Sequence, residues 1–128
     1  MNPETVMSGN DRETSIDELK QLVEQFVSQR DWHQFHAPKN LSMALAIEAA
    51  ELMEHFQWIS TEESRQLAAG DVQRLQPVRE ELADCICYCL ALANEMQIDI
   101  ATAVRDKMVK NAIKYPADQF RGRYGADA

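Results

Sequence analysis

The sequence contains no apolar run that reaches the roughly 18 residues a membrane-spanning helix needs. Its N-terminal segment, MNPETVMSGNDR, has no apolar core of the kind that marks a secretory signal. Positive charge is also scarce, since 13 lysines and arginines stand against 21 aspartates and glutamates. The acidic residues are spread along the chain, which argues against a protein that wraps a nucleic-acid duplex. We therefore expect a cytoplasmic protein with no membrane or nucleic-acid partner.

Several catalytic and metal-binding motifs are missing as well. The chain has no glycine-rich phosphate loop, no G-x-S-x-G nucleophile elbow and no Cys/His spacing typical of zinc. Cys85, Cys87 and Cys89 stand at alternate positions of a helical run, where they cannot form a disulfide or a three-thiolate metal site. We interpret them as packing residues of a protein in a reducing compartment.

Helical periodicity dominates the chain, and we predict an all-α fold, a four-helix bundle with one short extra helix. The predicted helices cover residues 15–30, 41–58, 60–70, 77–96 and 99–115. At 128 residues the chain is large enough for one domain with a real core. We expect a disordered N-terminal segment over residues 1–14, a single domain over residues 15–118 and a flexible tail over residues 119–128.

The helix boundaries rest on capping signals and prolines. Ser15 and Ser60 each begin a capping box, with a glutamate three residues later. Asn40 or Ser42 is expected to cap the helix over residues 41–58. Residues 70–76 are predicted to be a polar link, after which Pro77 fits the first turn of a helix.

Four carboxylates fall in the two most apolar helical segments. Glu48 lies on a stripe of leucines, Glu51 follows one turn later, and Glu81 and Asp84 repeat the same spacing of three. Four acids directed into a core are too costly unless a cation lies among them. One such pair on a helix is normally solvated, but two pairs in apolar segments favour a site for Mg²⁺ or Mn²⁺.

A di-iron carboxylate bundle is the main alternative metal site. It requires Glu-x-x-His on two helices. His55 follows Glu51 by four residues, and neither His33 nor His36 lies in such a motif. Iron is therefore not expected.

Aromatic residues crowd into the connection before Pro38. Trp32, Phe35 and His36 could either seal the end of the bundle or form a stacking pocket for a flat ligand. The spacing of these rings alone favours packing at the end of the bundle. Their occurrence together with the four acids favours a ligand-binding pocket.

The last predicted helix has two faces. Its apolar residues Ile100, Val104 and Met108 are expected to be buried. Its polar face carries Lys107, Asn111 and Lys114 at helical spacing. That face could bind a triphosphate beside the metal, although spacing alone favours a solvated surface.

The helix predicted over residues 77–96 is apolar on all sides. From Leu82 to Ala93 its only charged residue is Asp84. A helix of this kind must be covered on every side, which three other helices in a small chain can hardly do. We therefore expect subunits to associate through this helix.

Four segments resemble the all-α nucleoside triphosphate pyrophosphohydrolases of the MazG-like superfamily, and within it the dCTP pyrophosphatase-like branch. They are RDWHQFHAPKN at residues 30–40, EAAELMEHFQW at 48–58, EELADCICY at 80–88 and KMVKNAIKYP at 107–116. The resemblance covers residues 15–118. One departure is Val23, which stands where dCTP-hydrolysing members have a histidine in the base pocket, so strict cytosine selectivity is not assured.

The resemblance implies an activity, a metal site and an assembly. The activity is hydrolysis of a nucleoside triphosphate to the monophosphate and pyrophosphate, in a homodimer or homotetramer with shared active sites. The catalytic and metal-binding acids would be Glu48, Glu51, Glu81 and Asp84, with Mg²⁺ as the metal and Mn²⁺ as a substitute. The phosphates would be bound by Lys107, Asn111, Lys114 and Tyr115. The base would lie among Trp32, His36 and Trp58, with the sugar near Tyr88.

We therefore expect a magnesium-dependent enzyme that converts dCTP or a modified dCTP by attack of water at the α-phosphorus, with Glu51 orienting the water. Three alternatives stay open: a broad-specificity house-cleaning hydrolase of dNTPs, a nucleotide-binding sensor without turnover, and a purely structural helical oligomer.

Overall fold

The computed structural model describes residues 8–70 and 72–123. These residues form helices and turns without a β-strand, which confirms the predicted all-α fold. The α-helices are α1 (Ile16–Gln29), α2 (Pro38–Glu54), α3 (Thr61–Gln66), α4 (Val72–Met96), α5 (Ile100–Lys114) and α6 (Ala117–Phe120). Two 3₁₀ turns lie at His33–Phe35 and Leu67–Ala69. No helix in this part of the chain is long and apolar enough to cross a membrane.

Capping residues begin α1, α3 and α5 where the sequence predicts. The Ser15 hydroxyl accepts a hydrogen bond from the Glu18 amide at 3.1 Å, and Ser60 accepts one from the Glu63 amide at the same distance. Both glutamates complete a capping box, and Asp99 caps α5. These contacts span three residues, so the sequence determines them locally.

The predicted start of α2 is wrong. The helix begins at Pro38, and neither Asn40 nor Ser42 caps it. Their side chains donate to backbone carbonyls instead, at 3.2 Å from Phe35 and 2.7 Å from Lys39. Proline suits the first helical position because its missing amide hydrogen would have no partner there.

The predicted end of this helix is also wrong. α2 ends at Glu54, and the amides of His55 and Phe56 bond to carbonyls only three residues back, at 3.3 and 2.9 Å. Residues 55–58 form hydrogen-bonded turns, although the Gln57 amide still bonds to the Met53 carbonyl four residues back at 3.0 Å. Trp58 therefore lies beyond the helix, and its side chain is 86% exposed.

The polar link predicted over residues 70–76 is helical from Val72 onward, and Pro77 lies inside α4. The polar side chains pair at helical spacing. Gln76 donates to Glu80 at 3.3 Å, and Arg79 donates to Gln76 at 3.0 Å. Polar composition here marks an exposed helical turn rather than a loop.

The core lies where α4 packs against α2 and α1. Its buried residues include Leu41 on α2, Val27 on α1 and Leu90 on α4. Cys85 is buried as predicted, but Cys87 and Cys89 are exposed free thiols, so the packing prediction is wrong for these two.

Part of the apolar surface of α4 is uncovered in this chain. Leu82 is 51% exposed and Ile86 is 47% exposed. The helices of the described chain thus leave α4 partly bare, as its composition predicts. Its association with another subunit stays a prediction.

The chain divides into two compact units, residues 1–97 and 98–128, where the sequence suggests one domain over residues 15–118. The second contains α5 and α6. No residue of α5 is buried, and Val104 and Met108 are 55% and 59% exposed, so the prediction of a buried face is wrong.

The predicted terminal segments are described only in part. Within residues 1–14, the amides of Glu13 and Thr14 both donate to the Asn10 carbonyl at 3.0 Å, which makes a turn before α1. Within the predicted tail, the rings of Tyr115 and Phe120 meet edge to face at 5.3 Å and fasten α6 to the end of α5. Residues 1–7 and 124–128 lie outside the described residues.

Candidate active site

The packing of α2 against α4 brings three of the predicted acids together. Glu48 and Glu51 lie one turn apart on α2, and Glu81 lies on the facing side of α4. One carboxylate oxygen from each residue lies within 4.8 Å of the other two. Asp84 is not a member of this group among the described residues, but it lines the adjoining cavity together with Glu48.

The electrostatics of these acids are those of a cation site. A hydrogen bond to Glu81, burial and the neighbouring Glu51 carboxylate together raise the pKa of Glu48 to about 7. The Oε2 atoms of Glu48 and Glu81 are buried, and no hydrogen-bond partner for them exists in the described chain. Buried carboxylate oxygens without a donor are costly, and a hard divalent cation with oxygen ligands would satisfy them.

A cavity of about 470 Å³ opens beside the acids. Leu22, Val23 and Phe26 of α1 give it an apolar wall, while Glu48 and Asp84 give it an acidic one. A cavity of this size with a few polar groups suits a small molecule that has both a flat apolar part and a charged part.

Aromatic side chains complete the cavity. Trp32, His36 and Tyr88 all line it, as the resemblance implies. The Trp32 ring packs edge to face against Phe26 at 5.5 Å and lies 6.3 Å from the His36 ring. The buried Nδ1 atom of His36 finds no protein partner among the described residues, so it is available to a ligand.

Trp58 does not join this group. It is 86% exposed and does not line the cavity in the described part of the chain. The reason is the early end of α2, which leaves Trp58 four residues beyond Glu54 and outside the helix.

The predicted phosphate-binding residues lie in the second unit. Lys107, Asn111 and Lys114 are on α5, and Tyr115 is its C-terminal cap. The Lys114 ammonium lies 5.3 Å from the Tyr115 ring centre, and Asn111 donates to the Met108 sulfur at 3.8 Å. Their contact with phosphate stays a prediction.

Sequence reasoning missed several residues of the site. Leu22 and Phe26 stand four apart on the apolar face of α1, a spacing that indicates core packing as readily as a ligand wall. Cys87 lines the cavity, and burial together with the nearby Asp84 raises the pKa of its thiol. Neither role leaves a sequence signal that differs from ordinary packing.

Comparison with known proteins gives a consistent result. Residues 43–124 match the model of the MazG-like family. The chain is 39% identical over 110 residues to dCTP pyrophosphatase 1 of Bos taurus and 38% identical over 109 residues to that of Homo sapiens. These matches cover 86% and 85% of the chain, which spans only 64% of the length of each relative.

A solved structure also resembles the fold. The crystal structure of a pyrophosphatase from Archaeoglobus fulgidus superposes with a TM-score of 0.72 at 35% sequence identity. The match covers 88% of this chain and 99% of the archaeal chain.

Proposed function

The chain belongs to the MazG-like family, and we propose that it is a nucleoside triphosphate pyrophosphohydrolase. The observation that carries the proposal is the group of three carboxylates within 4.8 Å of one another, beside a cavity lined by aromatic rings. A triphosphate needs a cation near its phosphates, and a base needs a flat apolar surface. The relatives named dCTP pyrophosphatase 1 support the same reaction class.

Magnesium is the proposed metal, with Mn²⁺ as a substitute. Glu48, Glu51 and Glu81 would hold it, and Asp84 would complete the oxygen ligands from the cavity side. The unpartnered buried oxygens of Glu48 and Glu81 fit this role. When bound, the metal would neutralise phosphate charge and lower the pKa of a water.

The chain's own residues would orient and move the reacting groups. Glu51, which would give the metal only one of its two carboxylate oxygens, orients a water with the other and accepts its proton as the water oxygen bonds to the α-phosphorus. The bond from that phosphorus to the bridging oxygen breaks, and pyrophosphate leaves with the bond's electron pair. We propose that the phosphates contact Lys107, Asn111, Lys114 and Tyr115, and that the nucleoside lies against Trp32, His36 and Tyr88, without the Trp58 expected from the sequence.

The proposed substrate is dCTP or a modified dCTP, by analogy with the named relatives. Val23 gives the cavity an apolar group and no hydrogen-bond donor or acceptor. Without a polar side chain at this position, the α1 wall of the pocket offers the base no hydrogen bond and rejects a wrong base weakly. This observation favours a second candidate, a hydrolase of broader dNTP specificity.

We also propose that the protein works as a homodimer or homotetramer in the cytoplasm. The half-exposed Leu82 and Ile86 of α4 are suited to cover one another in an assembly. The free thiols of Cys87 and Cys89 suit a reducing compartment.

Incubation of the protein with dCTP and Mg²⁺ tests the reaction. We expect dCMP and pyrophosphate in equal amounts, with no product from Glu48→Gln or Asp84→Asn. Turnover in water labelled with a heavy oxygen isotope should place the label in dCMP, because water attacks the α-phosphorus. Label in pyrophosphate contradicts that step, and binding of dCTP without product identifies a sensor instead.

A further inference from the structure

His33 ties the aromatic segment to two helices from outside the cavity. It begins the 3₁₀ turn between α1 and α2. Its Nδ1 atom lies 2.6 Å from Glu95 Oε1 on α4, and its Nε2 atom lies 2.8 Å from Glu24 Oε1 on α1. The Ser28 hydroxyl donates to the same Glu24 oxygen at 3.0 Å and lies 3.2 Å from His33 Nε2.

The two carboxylate partners of the imidazole are acceptors, and the Ser28 hydroxyl beside Nε2 gives its hydrogen to Glu24. An ionised carboxylate donates nothing, so the ring must donate from both nitrogens to satisfy Glu24 and Glu95 together. Only the protonated, positively charged ring can do so. The neutral ring donates to only one carboxylate, because its other nitrogen carries a lone pair, which can accept from the Ser28 hydroxyl but cannot bond to a carboxylate.

The charges around His33 favour the protonated ring. The recess that holds it, about 360 Å³ in volume, is lined on α1 by Asp17, Lys20 and Glu24 and on α4 by Glu95. Three of these four charges are negative. The hydrogen bonds to Glu95 and then Glu24 raise the pKa of His33 above its usual 6.5.

The turn couples His33 to the wall of the cavity. The Phe35 amide donates to the Trp32 carbonyl at 2.9 Å, and the His36 amide donates to the His33 carbonyl at 3.1 Å. Trp32 and His36 line the cavity on either side of His33 in the chain. The turn follows Asp31, whose φ of +52° lies in the left-handed region that aspartate adopts more readily than most residues.

We propose that protonated His33 is a positioning residue, which holds Trp32 and His36 in the wall of the nucleotide cavity by bonding to Glu24 and Glu95. Its kinetic consequence rests on the proposed function. Its structural consequence does not, and the two can be measured separately.

The structural consequence is tested by fluorescence in a Trp58→Phe background, where Trp32 is the one remaining tryptophan. We expect acrylamide to quench Trp32 weakly in acid and more strongly as the pH rises through the pKa of His33. In His33→Gln, acrylamide should quench Trp32 strongly at every pH. Its quenching constant should exceed that of the parent in acid by up to about twofold, a limit set by the 41% of Trp32 that is already exposed. His33→Arg should be quenched weakly at every pH, because arginine keeps its charge and several donors.

The kinetic consequence is tested with dCTP. His33→Gln should raise KM roughly threefold and leave kcat within about twofold, because exposed ion pairs are weak and the reacting groups are untouched. His33→Arg should restore KM. His55→Gln, at the end of α2, is the matched histidine control and should change neither constant.

The outcomes separate the two proposals. Circular dichroism confirms that each variant is folded before either measurement. Identical quenching of Trp32 in the His33→Gln variant and its parent at every pH overturns the positioning role, whatever the kinetics. The quenching pattern expected above, in a protein that hydrolyses no nucleotide, supports the positioning role and overturns the proposed function.

Discussion

The His33 imidazole and the Glu95 carboxylate, 62 positions apart in the chain, lie 2.6 Å from each other. This contact joins the connection between α1 and α2 to the far end of α4. The other nitrogen of the His33 ring lies against Glu24 on α1, so one ring links this connection to both α1 and α4.

The first prediction concerns stability as a function of pH. Because the folded-state pKa of His33 is raised above 6.5, its stabilising contribution is complete below that pH and is lost as the pH rises through the folded-state value. The Tm of the wild type should therefore exceed that of His33→Gln most in acid, and the difference should shrink with rising pH. Differential scanning calorimetry measures it. A difference that grows with pH would contradict the assignment, and His55→Gln controls for loss of any histidine.

The second prediction concerns metal. Metal-free Glu48→Gln should have a higher Tm than the metal-free wild type, because it removes one of three crowded carboxylates. At a hundredfold excess over its Kd, Mg²⁺ should stabilise the wild type by about 2.7 kcal/mol, or roughly 10 °C, and the variant far less. Glu54→Gln, on an exposed position of the same helix, should behave as the wild type. An equal rise of Tm in all three proteins places the cation elsewhere.

The third prediction compares two aromatic residues of one segment. Trp32 lines the cavity, whereas Phe35 is 60% exposed and does not line it in the described chain. Trp32→Ala should raise KM for dCTP roughly tenfold or more, since stacking contributes about 1–3 kcal/mol per base. Phe35→Ala should leave KM nearly unchanged. Equal effects would mean that the segment matters only for folding.

The fourth prediction uses the cysteines as accessibility probes. Cys87 lines the cavity and Cys89 does not, although both thiols are exposed. A dCTP analogue that resists hydrolysis should slow alkylation of Cys87 and leave that of Cys89 unchanged. Mass spectrometry after iodoacetamide treatment reads both sites in one sample. Protection of both, or of neither, means that the ligand does not occupy this cavity. The rise in the labelling rate of Cys87 should come at a higher pH than for an ordinary thiol, because the thiolate is the reactive form and the pKa of Cys87 is raised.

The fifth prediction concerns α5. Lys107→Ala should lower kcat/KM for dCTP by roughly tenfold or more, because a hydrogen bond from a charged donor contributes about 1.5–3 kcal/mol. Arg105→Ala also removes a positive charge from an exposed position of the same helix, two positions away and therefore on another face. It should have little effect. Equal losses from the two substitutions would indicate a general effect of positive charge rather than a phosphate contact.

Local signals made much of the fold predictable. Ser15 and Ser60 begin helices because the partner of each hydroxyl lies three residues away. Glu48 and Glu81 could be paired in advance because buried carboxylates need a common cation, whatever the loops between them do. The aromatic residues Trp32 and His36 could be grouped by their closeness in the chain.

Other features depend on contacts that no short stretch of sequence contains. From the sequence, Pro38 could end the aromatic connection or begin a helix. The structure shows that it begins α2. Trp58 could not be separated from the cavity without knowing that α2 ends at Glu54. The His33–Glu95 contact joins residues 62 positions apart, and each looks like an ordinary surface residue by itself.

The crowded acids have a consequence for laboratory evolution. Three carboxylates held within 4.8 Å of one another make the metal-free fold less stable than its sequence could allow. Active sites commonly sacrifice stability in this way. A screen that rewards heat resistance alone, with chelator present, should therefore collect amide or apolar replacements at Glu48, Glu51 and Glu81 before it improves any other part of the core. The same screen repeated with an activity requirement should leave these positions untouched.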